Sequence, residues 1–436
     1  MTKKALILAL LLLFSVVPSF ADPILEGVVS TGNLSLEQAI NIALKNQPLL
    51  RMEESEVERT KGEYKKTKSG LFPYINIGTL GSIGPAQAIN GPNGIWSNPF
   101  KDNFGSSLNA RWTVFDFGQK LSETRAKKHL IESASSKLIA SRAELVLAVK
   151  KSYYQALYAQ KALNVAQSIY ELSSLLVKRA ESFYETGLKS KVDLQFAKVK
   201  LSEAKLNITR AKNALTNSFA ELNNVLGIEG KATYELNETL VQKNDLKALE
   251  QLIVEGFQNR PEIKSQENKL ESAKQNVTAA KRKYAPKIEA IGSLGYIRGR
   301  NDFIGDNMFA AGAILLDVPV FTGGQIKGEV KEAQALYEKE GHELEHLKQA
   351  IRLEVIKAYN NASSLQEELE TAKEQLEQAT LAEELAQERY KQQLGSIIEA
   401  TEAQSELTKS ENLLLQTEYR YQETLSELDF AAGKVF

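Results

Sequence analysis

The sequence contains no cysteine, only three histidines and almost no net charge. Without cysteine the chain cannot hold a disulfide, a thiolate metal site, a cysteine nucleophile or a lipidated N-terminal cysteine. Its 54 Lys and Arg residues balance 55 Asp and Glu residues, so the formal net charge is −1. No basic excess is present to attract nucleic acid, and we expect no nucleic-acid partner.

Proline and glycine are missing from long parts of the chain. None of the ten prolines lies between 100 and 260 or after 319. Proline breaks a helix, and glycine weakens it by about 1 kcal/mol. The glycine-free runs therefore predict helices far longer than the usual 11–12 residues or so, and they span 119–186, 188–226, 342–394 and 396–432.

Long apolar runs are missing except near the N-terminus. Lys3 and Lys4 precede the apolar run Ala5–Phe14, and Ser19-Phe20-Ala21 follows with small residues at a cleavage spacing. This layout is typical of a secretory signal peptide, so residues 1–21 are predicted to direct export. After them, no apolar stretch approaches the ~20 residues that a membrane-spanning helix needs.

The rest of the chain repeats itself. Val114-Phe115 recurs as Val320-Phe321, a shift of 206 residues, and the same shift relates Gly227 to Gly433. Such a long period indicates two copies of one large unit, since solenoid repeats are much shorter. We assign 22–227 to the first structural repeat, 228–245 to an equatorial linker segment and 246–436 to the second structural repeat.

Each repeat reads as helix, strand, strand, very long helix and helix. The strands are predicted near 72–84, 103–115, 286–298 and 308–320, with a loop of turn residues from Gly81 to Asn103. Period-2 alternation puts apolar side chains on one face, as in a half-buried strand of a soluble sheet or in a membrane barrel. The residues on this face are Leu108, Ala110, Trp112, Val114, Ile314, Leu316 and Val318.

Seven-residue spacing of apolar and small residues in the long runs predicts left-handed coiled-coil packing. The first helix is predicted over Leu36–Ser69, with Ser35 as its N-cap and Gln38 three residues on. A helix over 119–184 is ~100 Å long, so two shorter helices stacked end to end are expected to run alongside it. The hairpin tips fall near Gly187 and Gly395, at the opposite end from the strands.

Four strands cannot close a membrane barrel, because spanning barrels need eight or more strands and no free edge. Three chains would supply twelve strands, an even number within the known range. The predicted fold class is therefore mainly α with a β-barrel part. Long antiparallel coiled-coil helices and four β-strands per chain would trimerise into a 12-stranded outer-membrane barrel and an α-helical periplasmic tunnel.

Several motifs then point to a family by their order, spacing and duplication. They are Leu34-Ser35-Leu36-Glu37-Gln38-Ala39, Asn46-Gln47-Pro48, Leu71-Phe72-Pro73, Phe115-Asp116-Phe117-Gly118, Gly187-Leu188 through Asp193-Leu194, and Val318-Pro319-Val320-Phe321-Thr322-Gly323-Gly324. Essentially all of the chain after residue 21 resembles the TolC-type outer-membrane efflux proteins, also called outer membrane factors.

The resemblance implies a homotrimeric channel-tunnel in the outer membrane of a Gram-negative-type bacterium, spanning into the periplasm. It implies a passive exit duct, opened when a periplasmic adaptor and an inner-membrane pump of the RND or ABC type dock. Drugs, metal ions, small molecules or proteins are the expected cargo. No enzymatic activity, cofactor or metal is expected, and the barrel is expected to contact outer-membrane lipid.

The resemblance also implies roles at the hairpin tips. Gly187, Leu188, Ser190, Gly395 and Ser396 would form the tips on which the adaptor docks. Asp193, Tyr390, Glu399 and Glu402 would lie at the periplasmic gate, with the two glutamates forming acid rings in a trimer. Alternatively, these carboxylates are only solvated charges at a helix end. The chain departs from the family pattern at Gln393, where a glycine is common.

Two other functions have specific sequence support. His342-Glu343-x-x-His346 matches the HExxH pattern of zinc metalloproteases, although it lies in a Glu- and Lys-rich helix face without a third histidine nearby. The heptads alone also fit a periplasmic coiled-coil adaptor or structural protein. The strands and the internal duplication argue against that alternative.

Overall fold

A computed structural model of the chain describes residues 32–82, 88–91, 94–97, 103–230, 232–238, 246–298 and 307–434. The predicted signal peptide and part of the predicted linker lie outside these residues. Within the described part the chain is mainly helical with a smaller β part, which confirms the predicted fold class of a single chain. The helices are α1 (Leu36–Asn46), α2 (Pro48–Ser69), α3 (Gln119–Glu185), α4 (Lys191–Leu226), α5 (Leu249–Asn259), α6 (Pro261–Arg282), α7 (Gln325–Lys391) and α8 (Ile397–Ala431).

The β part comprises four long strands and four short ones. Residues predicted as strands correspond to the long ones, with ends that differ by at most three residues. The strands are β1 (Asn33–Leu34), β2 (Tyr74–Ser82), β3 (Ala88–Gly91), β4 (Gly94–Ser97), β5 (Asn103–Phe115), β6 (Glu235–Leu236), β7 (Lys287–Arg298) and β8 (Asn307–Asp317).

The two long helices, α3 and α7, each contain 67 residues. At 1.5 Å per residue each is ~100 Å long. Most of the stability of a protein helix comes from the packing of one face and not from propensity, so we expect packing along their length to hold both helices. Alanines and serines supply much of the buried surface of α3, which allows the neighbouring helices to approach closely.

The start of each long helix is fixed by a left-handed backbone turn. Phe117 and Gly118 have φ values of 53° and 82°, and Gly323 and Gly324 have 61° and 89°. In the first repeat the Asp116 carboxylate accepts a hydrogen bond from the Gly118 N–H at 3.0 Å. A carboxylate at this place also complements the positive end of the helix dipole.

The first helix of each repeat is broken, contrary to the prediction of one helix over Leu36–Ser69. It divides into α1 and α2 at Gln47, and the second repeat divides into α5 and α6 at Arg260. Both residues have extended backbone, and a proline follows each one as the first residue of the next helix. The residue before proline is disfavoured in helical conformation, which explains both breaks.

The shorter helices stack end to end along the long ones. The end of α4 lies against the α1–α2 break, where a Cβ on Gly227 would be 3.1 Å from the Asn46 carbonyl carbon. The end of α8 meets the α5–α6 break in the same way, and a Cβ on Gly433 would be 2.7 Å from Asn259 Cβ. Both glycines also have positive φ. The close approach and the left-handed backbone are therefore two separate reasons for glycine at each joint.

The four long strands form one antiparallel sheet in the order β2-β5-β7-β8. Its central pair joins the two repeats, because β5 belongs to the first and β7 to the second. Asn109 lies opposite Ser293, whose hydroxyl donates to Asn109 Oδ1 at 2.8 Å. Among the described residues β2 and β8 have one strand partner each, so they are the two edges.

Two short strands that were not predicted lie in the described parts of the segment from Gly81 to Asn103. Strands β3 and β4 pair within it as an antiparallel hairpin. Each strand has only four residues, and turn-forming residues surround them, so alternation is too short to reveal them.

A small parallel strand pair at the middle of the molecule was also not predicted. Leu34 in β1 lies opposite Leu236 in β6. The buried Tyr153 hydroxyl lies 2.7 Å from the Leu34 carbonyl oxygen and 2.8 Å from that of Asn237. The predicted linker therefore contains a strand that returns to the start of the first repeat and packs on the long helix α3.

Candidate functional site at the hairpin tips

Both helical hairpins turn at the end of the molecule that lies farthest from the sheet. The first turn joins α3 to α4 through residues 186–190, and the second joins α7 to α8 through residues 392–396. The tips therefore lie where the sequence placed them. In this half of the molecule α3 packs against α4 and α8, and α7 packs against α8.

The first tip is closed by a reciprocal cap. The Ser190 hydroxyl accepts a hydrogen bond from the Asp193 N–H at 3.3 Å, and Asp193 Oδ2 accepts one from the Ser190 N–H at 3.0 Å. Gly187 provides the left-handed residue of the turn with a φ of 72°. Asp193, which was predicted as a gate residue, therefore forms its hydrogen bonds with Ser190 at the start of α4.

The second tip reaches a similar turn with different residues. Gln393 stands where the first repeat has Gly187, and it takes a positive φ of 64°. Gly395 packs tightly on the end of α7, because a Cβ there would lie 3.2 Å from the Tyr390 nitrogen. The Ser396 hydroxyl caps α8 by accepting from the Glu399 N–H at 3.1 Å.

Lys189 joins the two tips. Its ammonium group donates to the Gly395 carbonyl oxygen at 3.1 Å and lies 5.8 Å from the centroid of the Tyr390 ring. The sequence analysis did not single out this residue. The sequence offered one indication of this contact. Under the shift of 206 residues Lys189 corresponds to Gly395, so its basic side chain is expected at the same height along the hairpins as the second turn.

Tyr390 is fully buried in the apolar cluster that unites the tips. Its ring meets that of Phe183 edge-on, with centroids 5.6 Å apart. Burial raises the pKa of its phenol, and the negative charge of Asp193 adds to the effect. Among the described residues the hydroxyl has no hydrogen-bond partner, so within one chain the two predicted gate residues are near each other but not bonded.

The two predicted entrance glutamates differ in their surroundings. Glu399 forms an ion pair with Arg389, with 3.0 Å between Nε and Oε1. Arg389 is another residue that the sequence analysis missed. Glu402 is exposed and has no ion pair within the described part of the chain.

A third acidic group near the tips is buried. Glu383 on α7 occupies a heptad position, and its side chain lies among neighbouring helices. Burial raises the pKa of its carboxyl group, although Gln387 and Arg179 oppose this by a hydrogen bond and by charge. Arg179 in turn donates to Gln387 at 3.1 Å. Polar groups therefore interrupt the apolar packing just above the tips.

The sheet at the other end is amphipathic. Its register places Trp112, Ala290 and Ile314 in one row, and Ile314 is 79% exposed. The opposite face carries Asn109 and Ser293 in another row. The sequence analysis missed the matching apolar positions on β2, which are Ile75 and Ile77.

Other predicted apolar positions lie on this sheet as follows. Leu108 and Ala110 share the face of Trp112, and Leu316 extends the row of Ile314 along β8. Val114 lies in a β-bulge, so Phe115 rather than Val114 lies opposite Ile288. Val318 lies beyond the end of β8, where the backbone has left the sheet.

The HExxH sequence does not form a site. His342 is 82% exposed at its side chain, and its only described partner is Glu345 on the same helix at 3.5 Å. The third histidine, His129, contacts Asn268. Within the described residues no group of three potential ligands is close enough to hold a metal ion.

These features define a class of protein. Two long helical hairpins of nearly equal dimensions are attached to an amphipathic four-stranded sheet, with tips and sheet at opposite ends. This is the architecture of a channel-tunnel subunit. None of the described helices has the length and apolar composition needed to cross a membrane.

The chain belongs to the outer membrane efflux protein family, whose model matches residues 39–228 and 252–434. It is 24% identical to CyaE of Bordetella pertussis over 86% of this chain and 78% of that protein. It is 23% identical to TolC of Vibrio cholerae over 75% and 74% of the two chains.

A solved structure shares the fold. The Campylobacter jejuni outer membrane channel CmeC matches with a TM-score of 0.79 at 20% identity, over 92% of this chain and 86% of that chain. The predicted family, the outer-membrane location and the general function as an efflux channel are confirmed. The family is a class of transport channels and not of enzymes.

Proposed function

We propose that three copies of this chain form a passive exit duct that is gated at the hairpin tips. The observation that carries the proposal is the sheet, which is amphipathic and has edges at β2 and β8. An open edge cannot lie in lipid, because its backbone groups would have no hydrogen-bond partners. Edge-to-edge pairing of β8 with β2 of the next copy closes a barrel of twelve strands.

In this barrel the face of Trp112 and Ile314 contacts outer-membrane lipid, together with Leu108, Ala110 and Leu316. Bulky apolar side chains are exposed on this face of the single chain, as a lipid-facing surface requires. The opposite face lines the duct, since Asn109 and Ser293 lie on it.

The tips form the periplasmic entrance. Asp193 and Tyr390 hold the shape of the two turns through capping and packing. Glu399 and Glu402 project near the entrance, where threefold repetition produces two rings of carboxylates. Such rings favour cations and repel anions in a narrow opening.

A periplasmic adaptor docks on the outside of the tips and opens them, and an inner-membrane pump of the RND or ABC type supplies the cargo. The docking region comprises Gly187, Leu188, Ser190, Gly395 and Ser396. Leu188 is 51% exposed there and Leu394 is 70% exposed. Exposed leucines at a tip are suitable for contact with a partner helix.

The proposal is tested by purifying the full chain in detergent and measuring its mass by native mass spectrometry. We expect a trimer that unfolds to a monomer only on heating in SDS, and steady conductance after insertion into a planar bilayer. A monomeric, detergent-independent protein without conductance would instead support a periplasmic coiled-coil protein.

A further inference from the structure

Each of the four junctions between a long strand and a helix carries an exposed aromatic side chain. All four are at least 50% exposed, and they are Phe72, Phe117, Tyr284 and Phe321. They lie where the sheet ends and the helices begin. Aromatic residues are enriched at this level in proteins that cross a bilayer, because their rings suit the boundary between hydrocarbon and headgroups. The junctions therefore mark the height of the membrane surface on the proposed channel.

Exposed basic side chains follow on the helix side of these aromatic residues. Each belongs to the first or last ten residues of its helix, so it lies within ~15 Å of the sheet end of that helix. All eight are exposed, and none has an ion pair within the described part of the chain. We call them the basic collar, which consists of Lys65, Lys66, Lys68, Arg125, Lys128, Lys281, Lys327 and Lys331.

The acidic side chains at these helix ends do not balance the basic collar, because three of the four are already paired. The pairs are Glu63 with Lys127 at 2.8 Å, Glu123 with Lys120 at 3.7 Å and Glu329 with Lys283 at 2.9 Å. The fourth, Glu332, is exposed and unpaired within the described part of the chain. It lies about 100° around α7 from Lys331 and so points in a different direction.

The contacts of α3 show which way its two collar residues point. Ser122 and Ser133 bond to α6, whereas Lys127 bonds to α2. At 100° per residue, Arg125 and Lys128 fall on the wider of the two arcs between these contacts, which spans about 220°. In a closed ring of helices the wider arc faces outward. Both side chains therefore lie on the outer surface of the proposed assembly.

Helix α6 leads to the same result through different contacts. Ser265 and Arg282 bond to α3, and Gln266 bonds to α7. Lys281 again falls on the wider arc between the two neighbours. On the outer side of α3 the exposed Leu121 lies closer to the sheet than the collar residues do. Going from the sheet along this surface, apolar side chains are therefore followed by basic ones, as expected at the edge of a membrane.

We propose that the basic collar binds the headgroups of anionic phospholipids at the periplasmic surface of the outer membrane. The inference rests on the proposed channel and names the lipid class that it selects. Basic side chains near a membrane surface attract anionic lipids, and their long aliphatic parts let the charged groups reach the headgroups. The uncompensated charge of the collar supplies this attraction around the whole circumference of the channel.

Lipid preference is measured with the full chain in vesicles, through quenching of Trp112 by brominated lipids. The chain has two tryptophans, so Trp96→Phe leaves Trp112 as the single reporter. The Trp112 indole N–H donates to the Leu71 carbonyl oxygen at 3.1 Å, which places the reporter beside the end of α2. We expect the relative association constant to favour phosphatidylglycerol over phosphatidylcholine several-fold at low salt. The Debye length falls from about 30 Å at 0.01 M salt to about 3 Å at 1 M, so the preference should be lost at the higher concentration.

The basic collar itself is tested by removing its outward charges. The combined variant Arg125→Gln, Lys128→Gln and Lys281→Gln should reduce the preference several-fold. A matched control neutralises one arginine and two lysines that are exposed on α4, far from the sheet. The control substitutions are Lys205→Gln, Arg210→Gln and Lys212→Gln. The control should leave the preference unchanged, and native mass spectrometry should find both variants trimeric.

The outcomes separate this inference from the channel proposal. Equal quenching by the two lipids, or an unchanged preference in the collar variant, would overturn the lipid site and leave the channel proposal intact. Competition by millimolar inorganic phosphate at constant ionic strength would also overturn it, because the charges would then bind free phosphate and not a membrane surface. A Trp112 that neither lipid quenches would show that the sheet is outside the bilayer and would overturn the channel proposal itself.

Discussion

Arg389 and Glu399 face each other across the second hairpin turn, with 3.0 Å between the guanidinium Nε and the carboxylate Oε1. The two residues belong to different helices, so the pair ties the end of α7 to the start of α8. The pair also affects the proposed entrance, because the Arg389 guanidinium balances part of the negative charge of Glu399 within the same chain. Glu402, about one turn further along α8, keeps its charge unbalanced.

Replacing Glu402 should therefore change the channel more than replacing Glu399. We expect Glu402→Gln to weaken block of the reconstituted channel by a trivalent cation several-fold, and Glu399→Gln to weaken it less. The readout is planar-bilayer current with the cation added on the side of the tips. Arg389→Gln is the control and should strengthen block by releasing the charge of Glu399. Unchanged block in the variant lacking both glutamates would contradict the acid rings.

The second turn should be stabilised by glycine at position 393. A left-handed backbone costs a residue with a side chain about 1–2 kcal/mol, and the greater freedom of glycine in the unfolded chain offsets part of that gain. We expect Gln393→Gly to raise the free energy of unfolding by roughly 0.5–1 kcal/mol. Gly187→Gln at the equivalent position should lower it by about 1 kcal/mol. Denaturant midpoints at unchanged slope measure both changes. A loss of stability in Gln393→Gly would show that the glutamine side chain makes a contact in the assembly.

Tyr390 should act through its ring and not through its hydroxyl. The hydroxyl is buried without a partner, so Tyr390→Phe should be neutral or stabilising by up to about 1 kcal/mol. Tyr153→Phe is the matched control and should destabilise by roughly 1–2 kcal/mol, because it removes a buried hydroxyl that lies within hydrogen-bond distance of the Leu34 and Asn237 carbonyl oxygens. Thermal unfolding measures both. A rise in single-channel conductance in Tyr390→Phe would instead identify the hydroxyl as a gate contact.

Acidic pH should stabilise the α3–α8 packing through Glu423. Burial raises the pKa of this carboxyl group to about 7, although Lys151 and Arg420 oppose the shift and Glu427 adds to it. Its unfolded form ionises near pH 4.5. The contribution to stability is therefore fully present below pH 4.5 and is lost as the pH rises to 7, with an upper limit of about 3 kcal/mol.

The measurement for Glu423 is helical unfolding, followed by circular dichroism between pH 4.5 and 8. Glu423→Gln keeps the side-chain size and should reduce the pH dependence in that range, while other buried carboxyl groups with raised pKa values, such as Glu383, keep their share. Glu402→Gln changes an exposed carboxyl group and serves as the control. Its stability should depend on pH in the same way as that of the unmodified protein.

The helices and strands were predictable because their signals are local. The absence of proline and glycine over long runs predicted the long helices. Alternation of apolar and polar residues predicted the four long strands. The break at Gln47 was missed because Pro48 is compatible with the first position of a helix, so one continuous pattern covered both parts. The pair of Leu34 and Leu236 was missed because two-residue strands have no alternation and their partners are far apart in sequence.

At the tips, the positions were predictable and the contacts were not. Gly187 and Gly395 interrupt glycine-free runs, which is a signal that sequence alone contains. The contact of Lys189 with Gly395 depends on how the two hairpins lie against each other, and that of Arg389 with Glu399 depends on how α7 and α8 meet at the second turn. No local pattern encodes that arrangement. Ser190 and Asp193 were predicted as tip and gate residues, and their hydrogen bonds to each other at the start of α4 were not predicted.

The pairing of Asn109 with Ser293 has a consequence for the order of folding. These residues are 184 positions apart, so β5 lacks its central partner until the whole first repeat and the start of the second, as far as β7, have emerged. Contacts between distant segments form slowly, and unpaired strands favour aggregation while they wait. We therefore expect the nascent first repeat to need protection during its passage through the periplasm, because its helices can form while β5 still lacks β7 as its partner.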